Sequence, residues 1–178
     1  MTILGIAGSL RAGSHNAQLL RLAAEELPDG VELVVFDGLA EIPAFDQDLE
    51  DLAPDAVDRL KAAIAEADGI LIATPEYNGS IPGALKNALD WVSRPLAENP
   101  IRSKPVAVIG ASTSAFGGIW GQRELKKVLG IMSARVLDVE LPVAKADRAL
   151  AESDAVREQL AGVVVELVAA AEFERVAA

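Results

Sequence analysis

The segment GSLRAGSHN, from Gly8 to Asn16, concentrates hydrogen-bond donors around two glycines and contains no carboxylate. Glycines allow a sharp turn, and the helix predicted to follow offers unpaired N–H groups and the positive end of its dipole. Ser9, Ser14 and Asn16 add neutral donors, and Arg11 adds a fixed positive charge. This combination suits a dianionic phosphate monoester, although an ordinary polar turn with a helix cap would use many of the same residue types.

Two commoner phosphate-binding motifs fail on this segment. The G-x-x-x-x-G-K-[ST] loop of nucleoside triphosphatases needs a lysine where the chain has Ser14. The dinucleotide fingerprint G-x-G-x-x-G fails because the glycines fall at Gly5, Gly8 and Gly13. A terminal monophosphate remains as the predicted ligand. His15 is the single histidine, so neither a metal site built on several histidines nor a catalytic triad is predicted.

A second unusual segment, ATPEYNGSIPGALKNALDW, runs from Ala73 to Trp91. Its prolines and glycines predict a rigid turn between a strand and a helix. Exposed polar groups and free backbone amides on this turn would suit a planar heteroaromatic ring with carbonyl and imide edges. A plain turn before a helix, with Tyr77 as a rim aromatic, is the alternative. The polar residues of the turn are Glu76, Tyr77, Asn78 and Ser80.

Both segments follow predicted strands, and strands alternate with helices along the whole chain. Helical spacing of apolar residues follows each strand, with Ser14 or Asn16 near the start of the first helix and Pro54 opening the second. The alternation predicts an α/β fold, a three-layer doubly wound five-stranded parallel sheet that binds ligands past the carboxyl ends of its strands. The predicted strands are Thr2–Gly8, Glu32–Asp37, Gly69–Thr74, Pro105–Ser112 and Ala134–Glu140.

Composition excludes several classes of protein. The chain has no cysteine, which rules out a disulfide framework, thiol catalysis and thiolate metal sites. Its net charge of −11 argues against nucleic acid as the main partner. No apolar run predicts a membrane span, and the N-terminus lacks the features of a signal peptide, so we expect a cytoplasmic protein. The 178 residues, without a linker or repeat, predict one domain over residues 1–178.

Taken together, GSLRAGSHN and TPEYNGSIPGALKNALDW resemble the NADPH-dependent FMN reductases, a flavodoxin-like group that includes chromate, quinone and azo-dye reductases. The resemblance extends from the first strand to at least Gly118. It implies strand order 2-1-3-4-5, bound FMN, and NADPH or NADH as co-substrate. Hydride would pass through FMN in a ping-pong cycle to a quinone, an azo compound, chromate or free flavin, with no catalytic side chain. It also implies a homodimer or homotetramer.

The resemblance further implies three groups of FMN-binding residues. One group would hold the phosphate, a second would border the isoalloxazine ring largely through backbone contacts, and a third would contact the other side of the flavin. They are Ser9, Arg11, Ser14 and Asn16, with His15 beside them; then Pro75, Glu76, Tyr77, Asn78 and Gly79; and then Ser112, Thr113, Ser114, Phe116 and Gly117. At His15 the family often carries an aromatic residue.

Two other functions stay open at this point. A flavodoxin-type electron carrier would share the fold and the cofactor but pass electrons to a protein partner. Flavodoxins usually hold phosphate without arginine and cover the flavin with aromatics, whereas this chain has one Tyr and two Trp. A phosphate-binding regulatory domain without redox activity is the third possibility.

Two further expectations concern the co-substrate and the second subunit. Recognition of the extra phosphate of NADPH needs a basic group, and Arg94, Arg102 and Lys104 are the candidates expected near the site. The third and fourth helices are the expected dimer contacts, through Trp91 and Trp120. Alternatively, both tryptophans cover the core of their own domain.

Overall fold

A parallel sheet forms the centre of the molecule in the computed structural model, which describes residues 1–52, 54–150 and 154–177. The strands β1 to β5 lie in the order 2-1-3-4-5, and all their pairings are parallel. The predicted fold class and strand order are therefore confirmed. The strands are β1 (Thr2–Ala7), β2 (Glu32–Phe36), β3 (Gly69–Ala73), β4 (Pro105–Ala111), β5 (Arg135–Val136) and β6 (Pro142–Val143).

The predicted fifth strand, Ala134–Glu140, is cut short at Val136, and a separate strand, β6, follows beyond Glu140. β5 pairs with the first two residues of β4, whereas β6 pairs with the last two residues of β4. Between these contacts the outer segment uses two more residues than β4 does, so the ladder cannot continue. The prediction of one continuous strand was wrong, and the described part of the sheet has six strands instead of five.

Helices cover both faces of the sheet. α1 and α6 pack on one face, and α2, α3 and α4 pack on the other. In β4 the side chains of Val106 and Val108 join the second group, while Ala107 and Ile109 join the first, so the strand is apolar on both sides. The helices are α1 (His15–Glu25), α2 (Asp55–Glu66), α3 (Gly83–Val92), α4 (Ile119–Ile131), α5 (Ala146–Ala149) and α6 (Asp154–Ala177).

Two helices begin at residues whose types predicted a helix start. Ser14 is the N-cap of α1 and Pro54 is the N-cap of α2.

Trp91 is 1% exposed, donates from Nε1 to Pro43 O at 2.9 Å and meets Phe45 edge-to-face. Trp91 therefore covers the chain's own core, and its prediction as a dimer contact was wrong. Across the part of the chain that the structure describes, no helix is both long and apolar enough for a bilayer crossing.

Candidate functional site

Three loops meet at the carboxyl edge of the sheet, those after β1, β3 and β4. Gly8 N–H donates to Ala73 O at 2.9 Å, and Thr74 N–H donates to Ile109 O at 2.9 Å. These bonds extend the parallel ladders into the first loop residues, so the three loops begin side by side. The predicted site residues come from these loops and the first turn of α1, at the edge where doubly wound sheets bind ligands.

The loop after β1 forms a carboxylate-free cradle at the start of α1. Ser14 N–H donates to Arg11 O at 3.0 Å, and Ser14 Oγ accepts from Ala17 N–H at 3.2 Å. Ser9 Oγ accepts from Arg11 N–H at 3.4 Å, which closes the turn. No acidic residue lies in the first turn of α1, and Arg11 is exposed with no ion pair to any described residue. The cradle keeps donors and a positive charge available for an anion.

Gly13 and His15 flank this cradle. A Cβ built on Gly13 would lie 3.1 Å from Arg11 Nη1, so glycine lets the guanidinium lie close over the loop. His15 is the first residue of α1 and is partly buried. Its ring makes no hydrogen bond within the described ranges, which leaves it beside the cradle without an assigned task.

Asn16 is committed to the end of β4. Its amide Nδ2 donates to Ala111 O at 3.0 Å, and its Oδ1 accepts from Ala111 N–H at 2.9 Å. The side chain is 3% exposed. The resemblance implied a phosphate contact for Asn16, but in this structure its amide joins the first and last loops of the site. That arrangement makes Asn16 a residue that positions the cradle.

The loop after β3 contains a tight two-residue turn that presents its tip to solvent. Tyr77 N–H donates to Ser80 O at 2.9 Å, and Ser80 N–H donates to Tyr77 O at 3.1 Å. The two central residues, Asn78 and Gly79, have φ values of 53° and 75°, as a type I′ turn requires. Tyr77, Asn78 and Gly79 are all exposed, whereas Pro75 is buried beneath them. The turn is therefore rigid, and its polar tip is open to a ligand.

Glu76 connects this turn with α4. Its Oε2 accepts from Trp120 N–H at 3.0 Å and from Gly121 N–H at 3.3 Å. A carboxylate at this place satisfies two orphan donors and interacts favourably with the helix dipole. A Cβ on Gly121 would lie 3.1 Å from Pro75 O, so glycine lets α4 approach the loop after β3 closely. The side chain of Glu76 holds the loops after β3 and β4 together, a task the sequence did not reveal.

Serine hydroxyls organise the loop after β4. Ser112 Oγ lies 3.1 Å from Ser114 Oγ and accepts from Ser114 N–H at 3.1 Å, and Ser114 Oγ accepts from Phe116 N–H at 3.4 Å. Thr113 and Phe116 are exposed. Gly117 has a φ of 61°, and a Cβ there would lie 2.4 Å from Pro142 C, so both conformation and space require glycine.

Gln122 is a site residue that the sequence analysis missed. It is fully buried in α4, and Nε2 donates to Gly117 O at 3.3 Å and reaches Gly118 O at 3.5 Å. Its Oε1 is buried without a partner in the described part of the chain. A signal existed, because Gln122 lies three residues before Leu125 on the apolar face of α4, where a polar residue calls for an explanation.

The three cations expected near the site lie at the opposite edge. Lys104 precedes β4 and donates from Nζ to Ala65 O at 2.8 Å and Ala67 O at 2.5 Å. Burial lowers the pKa of Lys104 from its usual range, an effect that Asp68 partly offsets. Arg94 and Arg102 follow α3, which runs back from the carboxyl edge. The expectation was therefore wrong, since these residues lie at the amino edge.

Fold and site together define an α/β protein that binds a phosphorylated planar ligand. The family model for NADPH-dependent FMN reductase matches residues 1–148 of the chain. An NAD(P)H-dependent FMN reductase of Pseudomonas aeruginosa is 42% identical over 137 residues, 76% of this chain and 73% of the relative. A quinone reductase of Escherichia coli K12 is 38% identical over 140 residues, 78% of this chain and 74% of the relative.

A solved structure gives the same result for the fold. FerB of Paracoccus denitrificans, a flavoenzyme NAD(P)H:(acceptor) oxidoreductase, superposes with a TM-score of 0.78 at 28% identity and covers 93% of this chain and 98% of its own. The chain belongs to the NADPH-dependent FMN reductase family. It is an oxidoreductase that uses FMN and a reduced pyridine nucleotide.

The geometry of the site fits FMN. The phosphate group requires donors and a cation without a competing carboxylate, which the cradle before α1 provides through Arg11 and the first N–H groups of α1 that Ser14 does not cap. The ring requires open space beside backbone polar groups. A Cβ on Gly79 would meet no atom within 4 Å, so the tip of the β3 turn is unobstructed.

Proposed function

We propose that this chain oxidises NAD(P)H and reduces quinones at one FMN site. The observation that carries the proposal is the juxtaposition of a carboxylate-free cradle at α1 with an open type I′ turn after β3. The first feature suits the phosphate of FMN, and the second suits the polar edge of its ring. Quinones are favoured as acceptors because the relatives include a quinone reductase. Azo compounds, chromate and free flavin are further proposed acceptors, because an open flavin site admits many small molecules.

FMN supplies the hydride-accepting and hydride-donating chemistry when bound. The residues proposed to hold it are the fifteen predicted from the three loops, of which Asn16 acts by positioning the cradle. In that assignment the protein orients the cofactor and leaves one ring face accessible to small molecules. Reduction of a quinone adds two electrons and two protons. NAD(P)H supplies both electrons and one proton as a hydride, and water supplies the second proton. No side chain needs to act as an acid or base.

Arg11 has the main binding role in this proposal. Its guanidinium faces no acidic side chain in the described parts of the molecule, so it can pair with the phosphate. Ser9 and Ser14 each use the hydroxyl oxygen as an acceptor within the loop, which leaves the hydroxyl hydrogen free to donate. The loop is therefore organised before the ligand arrives.

A homodimer formed through α3 and α4 is part of the proposal. A groove of about 380 Å³ lies between the C-terminal ends of these helices. Leu96 and Ile131 line it and are 62% and 76% exposed. Apolar side chains exposed in one place mark an interface. We also propose that the chain is a single domain over residues 1–178 and acts in the cytoplasm, where NAD(P)H is available.

Purified protein tests the enzyme proposal directly. After removal and restoration of FMN, NADH and NADPH oxidation would be measured with 2-methyl-1,4-naphthoquinone, an azo dye, chromate and free FMN. We expect turnover with at least one nucleotide to exceed the rate with free FMN alone, with the quinone as the best acceptor. Cytochrome c in the same assay represents a protein acceptor.

The outcomes separate the candidate functions. Nucleotide oxidation no faster than with free FMN would refute the enzyme proposal. Rapid electron transfer to cytochrome c with no reduction of small acceptors would favour the electron carrier. A colourless protein whose thermal midpoint does not change with FMN would favour a regulatory domain.

A further inference from the structure

Phe116 and Trp120 form an exposed aromatic pair beside the candidate site. Phe116 is 60% exposed and Trp120 is 47% exposed. Their ring centroids lie 4.8 Å apart with an interplanar angle of 60°, an edge-to-face arrangement. Such contacts hold two rings in a fixed relative orientation. The pair therefore presents a defined apolar wall to solvent.

The backbone anchors this wall to the site. Phe116 immediately precedes Gly117 and Gly118, whose positive φ values turn the chain from the loop after β4 into α4. Trp120 N–H is held by Glu76 of the loop after β3. The aromatic pair is thus fixed to both loops that are proposed to border the flavin ring.

Exposed apolar side chains occur on all three loops of the carboxyl edge. Leu10, on the loop after β1, is 56% exposed, and Tyr77, on the loop after β3, is 53% exposed. With Phe116 and Trp120 they place apolar surface around the polar cradle. Exposure of large apolar side chains to water is unfavourable, so a cluster of them at one edge indicates a ligand.

We propose that Phe116 and Trp120 form the wall that receives the planar, uncharged ring of a quinone acceptor. The inference rests on the proposed function and adds the residues that select its substrate. An acceptor must come into contact with the cofactor, so the surface that recognises it has to border the same edge of the sheet. A flat apolar ring gains contact with both aromatic side chains there and leaves water.

The surface proposed to bind a second copy of the chain is not the aromatic pair. The groove with Leu96 and Ile131 lies at the far end of α4 from Trp120. At 1.5 Å per residue, Trp120 and Ile131 are roughly 17 Å apart along the helix. The aromatic pair lies on the opposite end of α4 from that groove, which favours a small ligand as its occupant.

The test compares two acceptors in three variants. Trp120→Ala removes most of the wall, Trp120→Phe keeps an aromatic ring there, and Phe173→Ala, which removes an exposed aromatic from α6, is the matched control. We expect Trp120→Ala to raise KM for 2-methyl-1,4-naphthoquinone about tenfold. KM for ferricyanide, a charged acceptor without an apolar ring, and the Kd of FMN should stay within about twofold. Trp120→Phe should restore most of the quinone KM.

Binding without turnover provides an independent measurement. Calorimetric titration of FMN-loaded protein with 2-naphthol, a planar redox-inert probe, should show about tenfold weaker binding in Trp120→Ala. An unchanged quinone KM and unchanged 2-naphthol Kd would overturn the inference, as would equal losses for quinone and ferricyanide. Conversion of a dimer to a monomer by Trp120→Ala would overturn it in favour of a subunit contact. Lack of quinone reduction by the unmodified protein would refute the proposed function. The 2-naphthol titration would still show whether the wall binds a planar ring.

Discussion

The side-chain amide of Asn16 hydrogen-bonds both backbone polar groups of Ala111, 95 residues further along the chain. This pair fixes the start of α1 against the end of β4, and both polar ends of the amide are occupied inside the protein. The cradle proposed to hold phosphate is therefore attached to the loop proposed to border the flavin. Binding of phosphate and ring should be coupled through this contact.

Replacing Asn16 should lower stability and FMN affinity together. Asn16→Ala leaves the buried N–H and C=O of Ala111 without partners, at a cost of about 2–3 kcal/mol in the free energy of unfolding. Urea denaturation of the FMN-free protein measures this term. Asn16→Asp keeps an acceptor but places a buried carboxylate against the carbonyl oxygen of Ala111, so we expect a loss at least as large as in Asn16→Ala. A full-stability Asn16→Ala protein would show that the two bonds contribute little.

Arg11→Ala should weaken binding of FMN without affecting folding. Loss of a charged donor to phosphate costs about 1.5–3 kcal/mol, roughly ten- to a hundredfold in Kd. The exposed Arg11 side chain has no ion pair with the described residues, so the unfolding midpoint of the FMN-free protein should not change. Fluorescence titration with FMN measures the Kd.

Two controls make the Arg11 result specific. Riboflavin lacks the phosphate, so its Kd should be the same in Arg11→Ala and in the unmodified protein. Arg21→Ala removes another exposed arginine from α1 and should leave both titrations unchanged. Equal loss of riboflavin and FMN binding would mean that Arg11 acts on the loop and not on the phosphate.

Glu76→Ala should loosen the start of α4. The carboxylate caps the N–H groups of Trp120 and Gly121, and loss of such a cap costs about 1–2 kcal/mol. Hydrogen exchange in the FMN-free protein should show faster exchange at these two amides than in the unmodified protein. Glu76→Gln retains an acceptor and should preserve most of the protection. Unchanged protection in Glu76→Ala would show that the α4 start is held by other contacts.

The sequence predicted those features that depend on neighbouring residues. Ser14 caps α1 because its hydroxyl accepts from the N–H three residues ahead, and strand–helix alternation predicted the parallel sheet, whereas the strand order came from the family resemblance. The prolines and glycines after β3 predicted a rigid turn, and Asn78 and Gly79 form its tip because both tolerate positive φ. Such signals lie within a few positions of each other, so the sequence alone contains them.

Other features require knowledge of which distant segments meet. The contact of Asn16 with Ala111 and that of Glu76 with α4 join parts of the chain that only the folded sheet brings together. Lys104 was expected at the site because it follows the second motif, but α3 carries the chain back to the amino edge before β4 begins. Proximity along the sequence was a poor guide there.

Two glycines that follow β3 should respond in opposite ways to alanine. A Cβ on either Gly79 or Gly83 would meet no atom within 4 Å, so sterics with neighbours do not distinguish them. Gly79 has a φ of 75°, whereas Gly83 is the first residue of α3. Gly79→Ala should therefore cost about 1–2 kcal/mol in the free energy of unfolding.

Gly83→Ala should instead stabilise the protein by up to about 1 kcal/mol, because alanine has the higher helix propensity. Urea denaturation of both variants without FMN measures the difference, and FMN titration then reports on the site. We expect weaker FMN binding only in Gly79→Ala, whose turn must change shape to accept a side chain. Equal stability of the two variants would show that the Asn78–Gly79 turn does not hold the left-handed conformation in solution.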